Sequence, residues 1–205
     1  MNIADYVVDW SNSPFTHFDA PAWLATTHAI KLITVAIDSL SNDYAISDSI
    51  AIHQSAFVED GARIKGPAII GPNAFVGAGA LIRGGVFLDQ NCTVGHACEL
   101  KTSFMFSQAK IAHLSFVGDS IIGARVNIEA GAVVANYRNE SRDKRIRILH
   151  NQCEIDTGVD KFGAWIGDDV KIGANAVIAP GAILVPGAVV PRLASVDQHP
   201  GMRCD

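Results

Sequence analysis

The chain has 205 residues, 16 Lys and Arg against 21 Asp and Glu, and a formal net charge of -5. That length predicts one domain, or one with a small appendage, and it suffices to bury a sizeable core. Mild acidity without a dense Lys/Arg stripe excludes nucleic acid as the main partner, no apolar run reaches the roughly 18 residues of a membrane span, and Met1 to Trp10 lacks the features of a signal peptide, so a cytoplasmic protein with no membrane partner is expected.

Residues 1–45 are expected to form a helical cap. Asp19-Ala20-Pro21 followed by Trp23, Leu24, Ile30, Leu32, Ile33, Val35, Ala36, Ile37 and Leu40 predicts a helix capped by Asp19 or a neighbour, with Pro21 in the first turn. Its apolar content is too broad for a solvated helix. It is expected to cover the open end of the structure that follows, shielding strand edges. Lys31 is the helix's one basic residue, which argues against a membrane-surface role.

From residue 46 a six-residue period takes over. Ile46, Ile52, Val58, Ile64, Ile70, Val76, Ile82, Leu88, Val94, Leu100, Phe106 and Ala112 follow at steps of six without a polar residue. Small residues recur four places after many of these anchors, as in Ala68, Ala74, Ala80, Cys92 and Cys98. The period slips and restarts as Phe116, Ile122, Ile128 and Val134, then again as Ile166, Ile172, Ile178, Leu184 and Val190. Such a repeat is the hexapeptide signature of a parallel β-helix: three short strands make a coil, anchors fill a triangular prism and small residues fit the turns. An aromatic content of only 7% suits that narrow interior. The predicted fold is all-β, a β-helix over 46–190 with about seven coils at three anchors per coil, one inserted arm over 138–160 and a tail over 191–205.

The period disappears between Tyr137 and Lys161. A gap of this length in a compact fold is a functional or disordered excursion, and the alternation Arg145-Ile146-Arg147-Ile148 favours an ordered arm with a short hairpin strand. Arg138, Arg142, Lys144, Arg145 and Arg147 make it the most basic stretch, either a solvated loop or a phosphate-binding arm. Cys92, Cys98, Cys153 and Cys204 have neither zinc-site nor disulfide-framework spacing and read as reduced thiols.

The stretch HACELKTSFMFSQAKIAHLSFVGDSIIGARVNIEAGAVVANYRNE, followed by DTGVDKFGAWIGDDVKIGANAVIAPGA, resembles the C-terminal half of the bifunctional sugar-phosphate nucleotidyltransferase/acetyltransferases, and more closely the archaeal-type enzymes with a similar insertion. The resemblance covers about residues 42–190, and the HLSFVGDS, VNIEAG, ANY order carries it more specifically than the repeats. It implies a left-handed β-helix, an acetyl-CoA-dependent acetyltransferase acting on an amino sugar phosphate such as glucosamine 1-phosphate, and a homotrimer with sites between subunits. Those enzymes carry a nucleotide-binding domain ahead of the helix; about 45 residues precede it here and no Gly-rich nucleotide loop is present, so uridyl transfer is not expected.

By the same resemblance His113 matches the catalytic base. An amine must lose a proton as it attacks a thioester, and an imidazole with an ordinary pKa of about 6.5 accepts it near neutrality. A packed core imidazole is the other reading, because Ala112 and Leu114 flank it. Arg83 and Lys101 match cations that hold the sugar phosphate, Asn127 and Asn136 the pair that holds the sugar and orients the amine, and Lys161 a Lys before the resumed helix. Ala130 and Ala174 fall on the acetyl-CoA side. No metal is required: His96 lies one coil before His113, but no third His has the spacing of a zinc site. Phe116 departs from the family pattern, which usually has Tyr there, so a phenolic hydroxyl toward the phosphate is missing.

Three readings follow. The first is the acetyltransferase, the second a sugar-phosphate or nucleotide-sugar binding and regulatory module without turnover, the third a trimeric scaffold. The pairs Ala68-Ile69, Ala74-Phe75 and Val86-Phe87 are expected to supply apolar surface for the threefold axis.

Overall fold

The computed structural model describes residues 1–199, so Cys204 and the end of the tail lie outside the described residues. From Ile50 to Val196 the chain winds as a left-handed parallel β-helix of about eight turns. Each turn lays short strands on three faces. The first face includes Ile50–His53, Ala68–Ile70, Ile121–Ile122, Ala164–Ile166 and Ala182–Leu184. The second runs from Phe57–Val58 to Val189–Val190 as a seven-stranded sheet. The third includes Arg63–Ile64, Phe116–Gly118, Val133–Val134, Val177–Ile178 and Ser195–Val196. Leu81–Leu88 and Glu99–Met105 are long enough to turn the corner from the third face to the first.

Alternation decides which side chains enter the prism. Ile70, Val76, Ile82, Leu88, Val94 and Leu100 are fully buried together, and Ala74, Ala80, Cys92 and Cys98 fill the narrow corners. Each such aliphatic contributes about 1.5–3 kcal/mol over leaving it in water, which is why a polar anchor is not tolerated. Burial holds the Cys92 thiol well above its usual range, so it is an inert core group.

The slip in the period has a structural cause. Leu81 pairs with Glu99 eighteen residues on, but Val86 pairs with Ser103, seventeen on, with a register shift between Arg83 and Val86. The corner occupied by Gly84-Gly85 in one coil is occupied by Thr102 alone in the next and by Asp119 in the one after, both at positive φ (51° and 46°). Met105, Ile111 and Val117 therefore hold the interior where the hexad count placed Phe106, Ala112 and Phe116. Ile46 is also outside the prism: it sits half exposed in Tyr44–Ser47, which pairs antiparallel to Ile50–His53. At the other end Ser195–Val196 continues the solenoid past Val190 by pairing with Val177–Ile178.

The N-terminal segment differs from expectation. Two short helices, α1 (Ala22–Thr27) and α2 (Ala29–Ile37), replace the single helix; Pro21 occupies the cap position of α1 and no side chain caps it. They lie along the first face rather than over the open end, because that face is apolar outside as well as inside. Ile69, Phe87, Phe104, Ile121 and Trp165 point out of the prism into a second core with Trp10, Phe15, Trp23 and Ile33. Phe15 meets Phe104 and Phe87 edge-on at 4.9 and 5.1 Å, and Tyr6 lies 4.4 Å from Trp165. Gly85 permits the close approach of α2, since a Cβ there would stand 2.8 Å from the Ile30 nitrogen. Polar pins complete the strap: Asp168 accepts from the Val8 and Ala124 amides at 3.2 and 2.8 Å, and Ser107 Oγ donates to Asp9. Ile69 and Phe87 are thus covered within the chain and cannot line a threefold axis.

The inserted arm is an antiparallel hairpin of Arg147–His150 and Cys153–Asp156. Ile146 and Ile148 bury it against the second core. Its basic residues are largely neutralised within the chain. Arg138 is 1% exposed and bonds Asp197, Glu140 and the Pro180 carbonyl; Arg145 bonds Asp143 and Asp156; Arg147 bonds Glu154. Arg145 holds the Asp143 carboxyl down at about 2. The Lys144 ammonium reaches the carbonyls of Arg138 and Asn139 and stands 5.1 Å over the Tyr137 ring.

Candidate functional site

The sequence-derived residues fall on two corners of the prism and one face. Between the second and third faces, His113, Ala130 and Ala174 stack one coil apart. The Gly131 amide donates to the His113 carbonyl at 2.9 Å, Asn175 to Ala130 at 3.0 Å and Leu193 to Ala174 at 3.0 Å. The turn at His113 is held by Leu114 at φ 55° and by the Ser115 hydroxyl, which donates to the His113 and Glu129 carbonyls. The His113 side chain is exposed, so it is not a core imidazole. The Ala174 amide donates to Glu129 Oε2 at 2.9 Å, and Arg192 grips the same carboxylate with two bonds of 2.8 Å, holding it below the usual carboxylate range.

The corner between the third and first faces opens a cavity of about 550 Å³ lined by Arg83, Lys101, Phe116, Asn136, Tyr137, Asp160 and Lys161. Adjacent coils supply the two cations: Arg83 pairs with Lys101 in register, and Lys101 with Gly118. Asn136 and Lys161 stand at the two roots of the arm, which brings them together although 25 residues separate them. This is also the corner where the coil is shortened. Gly163, where the chain returns from the arm, leaves no room for a Cβ, which would stand 2.0 Å from the Gly118 carbonyl oxygen.

Both cations are fixed by carboxylates. Arg83 reaches Glu99 at 2.6 and 2.7 Å. Lys101 Nζ reaches Asp119 Oδ2 at 2.7 Å, with side chains 17% and 8% exposed. The Asn136 amide donates to that same oxygen. Asp119 is itself held by its backbone, its amide donating to the Lys101 carbonyl and its carbonyl accepting from Gly163, both at 2.8 Å. Two cations, an amide and the Lys161 ammonium, which pairs with no other group among the described residues, make a pocket able to hold a phosphate and a polar ring, with Phe116 and Tyr137 as ring-bearing walls.

Asn127 is not brought to this cavity. It points out of the second face, where it borders one cavity with Lys110 and Arg125 and another with Glu129, Lys171 and Arg192. The hairpin packs beside Ala182–Leu184 on the first-face side, away from the corner of Ala130 and Ala174. Among the described residues no group of three or more His, Cys, Asp or Glu could hold a metal ion, and no helix is long and apolar enough to cross a membrane. Asp119, Tyr137 and Asp160 are the site residues that sequence reasoning missed. Asp119 and Tyr137 were within sight, since they belong to the HLSFVGDS and ANY segments.

Comparison with known proteins agrees with this architecture. Residues 64–159 match the GMPPB C-terminal domain family and residues 163–190 the hexapeptide repeat of succinyl-transferase. Both matches fall on the solenoid and its arm, so the chain carries hexapeptide repeats wound as a β-helix. It is similar in particular to the bifunctional protein GlmU of Methanococcus maripaludis, at 36% identity over 143 residues, covering 70% of this chain and 34% of that one. It is similar also to the bifunctional sugar-1-phosphate nucleotidylyltransferase/acetyltransferase of Sulfurisphaera tokodaii, 36% identical over 139 residues, covering 65% and 34%. The chain thus spans about a third of the length of these relatives. Among solved structures, a putative acetyltransferase from Bacillus cereus superposes with a TM-score of 0.43 at 16% identity, over 70% of this chain and 73% of that one.

Proposed function

We propose that the protein is an acetyl-CoA-dependent N-acetyltransferase whose acceptor is an amino sugar phosphate such as glucosamine 1-phosphate. One observation carries the reading: Arg83, Lys101, Phe116, Asn136 and Lys161, far apart in sequence, line one cavity. In this reading Arg83, Lys101 and Lys161 bind the phosphate, Asn136 orients the amine, and exposed His113 takes the proton released as the amine nitrogen bonds the acetyl carbon and the CoA thiolate departs. Ala130 and Ala174, in line with His113 along one ridge, mark the donor side; a CoA carbonyl reaching the Ala174 amide must displace Glu129. No step calls for a metal, and the cytoplasm, where acetyl-CoA is available, is the compartment the reading requires.

A homotrimer belongs to the same proposal. Asn127 faces away from the cavity that holds Asn136, and His113 stands at the opposite corner of the third face and does not line that cavity, so a site using them together needs a second copy of the chain. Leu81, Phe116, Val133 and Val177, which point out of the third face, are the apolar surface offered for that contact in place of Ile69 and Phe87. Phe116 favours a second reading, a binding module without turnover, because the cavity lacks a hydroxyl at that wall. Release of CoA thiol from acetyl-CoA with a panel of amino sugars and their phosphates separates the two. Acceptor-dependent release supports the enzyme; tight sugar-phosphate binding with no release with any acceptor overturns it in favour of the module.

A further inference from the structure

Beside the acceptor cavity lies a second cavity of about 430 Å³, and Asp160 and Lys161 line both. Its other walls include Thr27 at the end of α1, Thr102 and Asp119 at the shortened corner, and Arg145 of the arm. Three structural units therefore converge on it: the strap, the solenoid corner and the insertion. The family match begins at residue 64, so α1 lies outside it and the Thr27 wall is not part of the matched domain.

The chemistry of the lining is specific. The Thr102 hydroxyl, the Asp160 carboxylate and the Lys161 ammonium make no hydrogen bond or ion pair among the described residues. Arg145, by contrast, is committed to Asp143 and Asp156 and serves as a fixed wall. A carboxylate accepts, an ammonium donates and a hydroxyl does both, which suits a group rich in vicinal hydroxyls rather than an apolar one. The cavity is within the range of small-molecule sites. Its position matters as much: Arg83 and Lys101, the phosphate cations of the proposed function, line the first cavity, and the second adjoins it across Asp160 and Lys161, so on that reading a group attached to the phosphate is the one positioned to enter it.

We infer that the second cavity is an acceptor subsite for a hydroxyl-bearing unit esterified to the sugar phosphate, so that the acceptor is an amino sugar joined by a diphosphate to a nucleoside rather than a bare sugar 1-phosphate. The inference rests on the sugar-phosphate reading above and sharpens its acceptor class. Lys161 then bridges phosphate and ribose, and Asp160 accepts from the ribose hydroxyls.

The test is calorimetric and omits acetyl-CoA, so it is independent of turnover. Glucosamine 1-phosphate and UDP-glucosamine are titrated into the wild-type protein, Thr27→Trp, which plugs the second cavity from an exposed helix end, and Asp160→Asn. UDP-glucosamine is expected to bind the wild type at least about tenfold more tightly, the scale of one or more hydrogen bonds to a charged group. Thr27→Trp should abolish that advantage and leave glucosamine 1-phosphate within about twofold, as a plug of the second cavity alone requires; Asp160→Asn should reduce the advantage without loss of melting temperature. Equal affinity of both ligands for the wild type, or equal weakening of both by Thr27→Trp, overturns the subsite. If neither ligand binds, the subsite falls together with the sugar-phosphate reading. If UDP-glucosamine binds with the expected preference but is never acetylated, the subsite stands and the acetyltransferase reading fails.

Discussion

Asp119 holds the Lys101 ammonium at 2.7 Å and accepts from the Asn136 amide on the same oxygen, so one shielded carboxylate fixes two side chains of the candidate site. Lys101 is anchored on the preceding coil and Asn136 on the following one. Asp119→Ala leaves a half-buried ammonium unpaired and is expected to cost about 1–3 kcal/mol of stability. Asp119→Asn should restore part of that, because its amide oxygen still accepts from both partners. Urea midpoints of the two variants check this; equal losses would show that the charge alone matters and not the shared acceptor.

The buried Arg138 ties the root of the arm to the end of the solenoid through Asp197, at 3.0 and 2.7 Å. Its hydrogen bonds hold the Asp197 carboxyl below the usual carboxylate range. A depressed folded-state pKa contributes stability that is present above the unfolded value, about 3.9, and is lost as pH falls through the lower folded value. The stability difference between wild type and Asp197→Asn should therefore be constant from neutral pH to about pH 5 and shrink below about pH 4. Urea denaturation across that window reads it; a difference that grew on acidification would contradict the linkage.

The strap should matter to folding more than to chemistry. Trp10 is 3% exposed and packs 5.7 Å from Phe104 and 5.8 Å from Phe106. Trp10→Ala is expected to cost about 3–5 kcal/mol, visible as a lowered urea midpoint, while glucosamine 1-phosphate affinity of the folded fraction is preserved.

Much of this was legible in the sequence, and the failures are instructive. The hexad anchors from Ile52 to Leu100 and from Ile122 onward are where the period places them, because the prism admits only one kind of side chain. Phe106, Ala112 and Phe116 misled because removing one residue from a corner is invisible to a pattern that tolerates apolar neighbours on both sides; Phe106 is buried, but in the outer core. The location of the helices was not readable either. It depends on the first face being apolar on its outer side, and Phe87, Phe104 and Trp165 look like ordinary strand residues until the faces are known. The arm's charge alone leaves a solvated loop and a phosphate-binding arm equally open; its counter-charges Asp143, Glu154 and Asp156 lie within the same stretch, and only the hairpin register shows that they neutralise it.

Phe116 and Tyr137 line the same cavity, one without and one with a hydroxyl. If the phosphate of glucosamine 1-phosphate sits at Arg83 and Lys101, Phe116→Tyr should tighten its binding by about 1.5–3 kcal/mol, the value of a hydrogen bond to a charged group. Tyr137→Phe should weaken it. Calorimetry on the two variants checks the pair; no change in either would place the phosphate elsewhere.

The account turns on His113, and the most direct measurement is the rate of acetyl transfer and the melting temperature of His113→Ala on one preparation. The side chain is exposed, so stability should change by no more than about 0.5 kcal/mol. Turnover with acetyl-CoA and the best amino sugar acceptor should fall by about 10²–10⁴-fold, the contribution of a general base. A variant that keeps its specific activity, whatever its melting temperature, would contradict the assignment of His113 as the base.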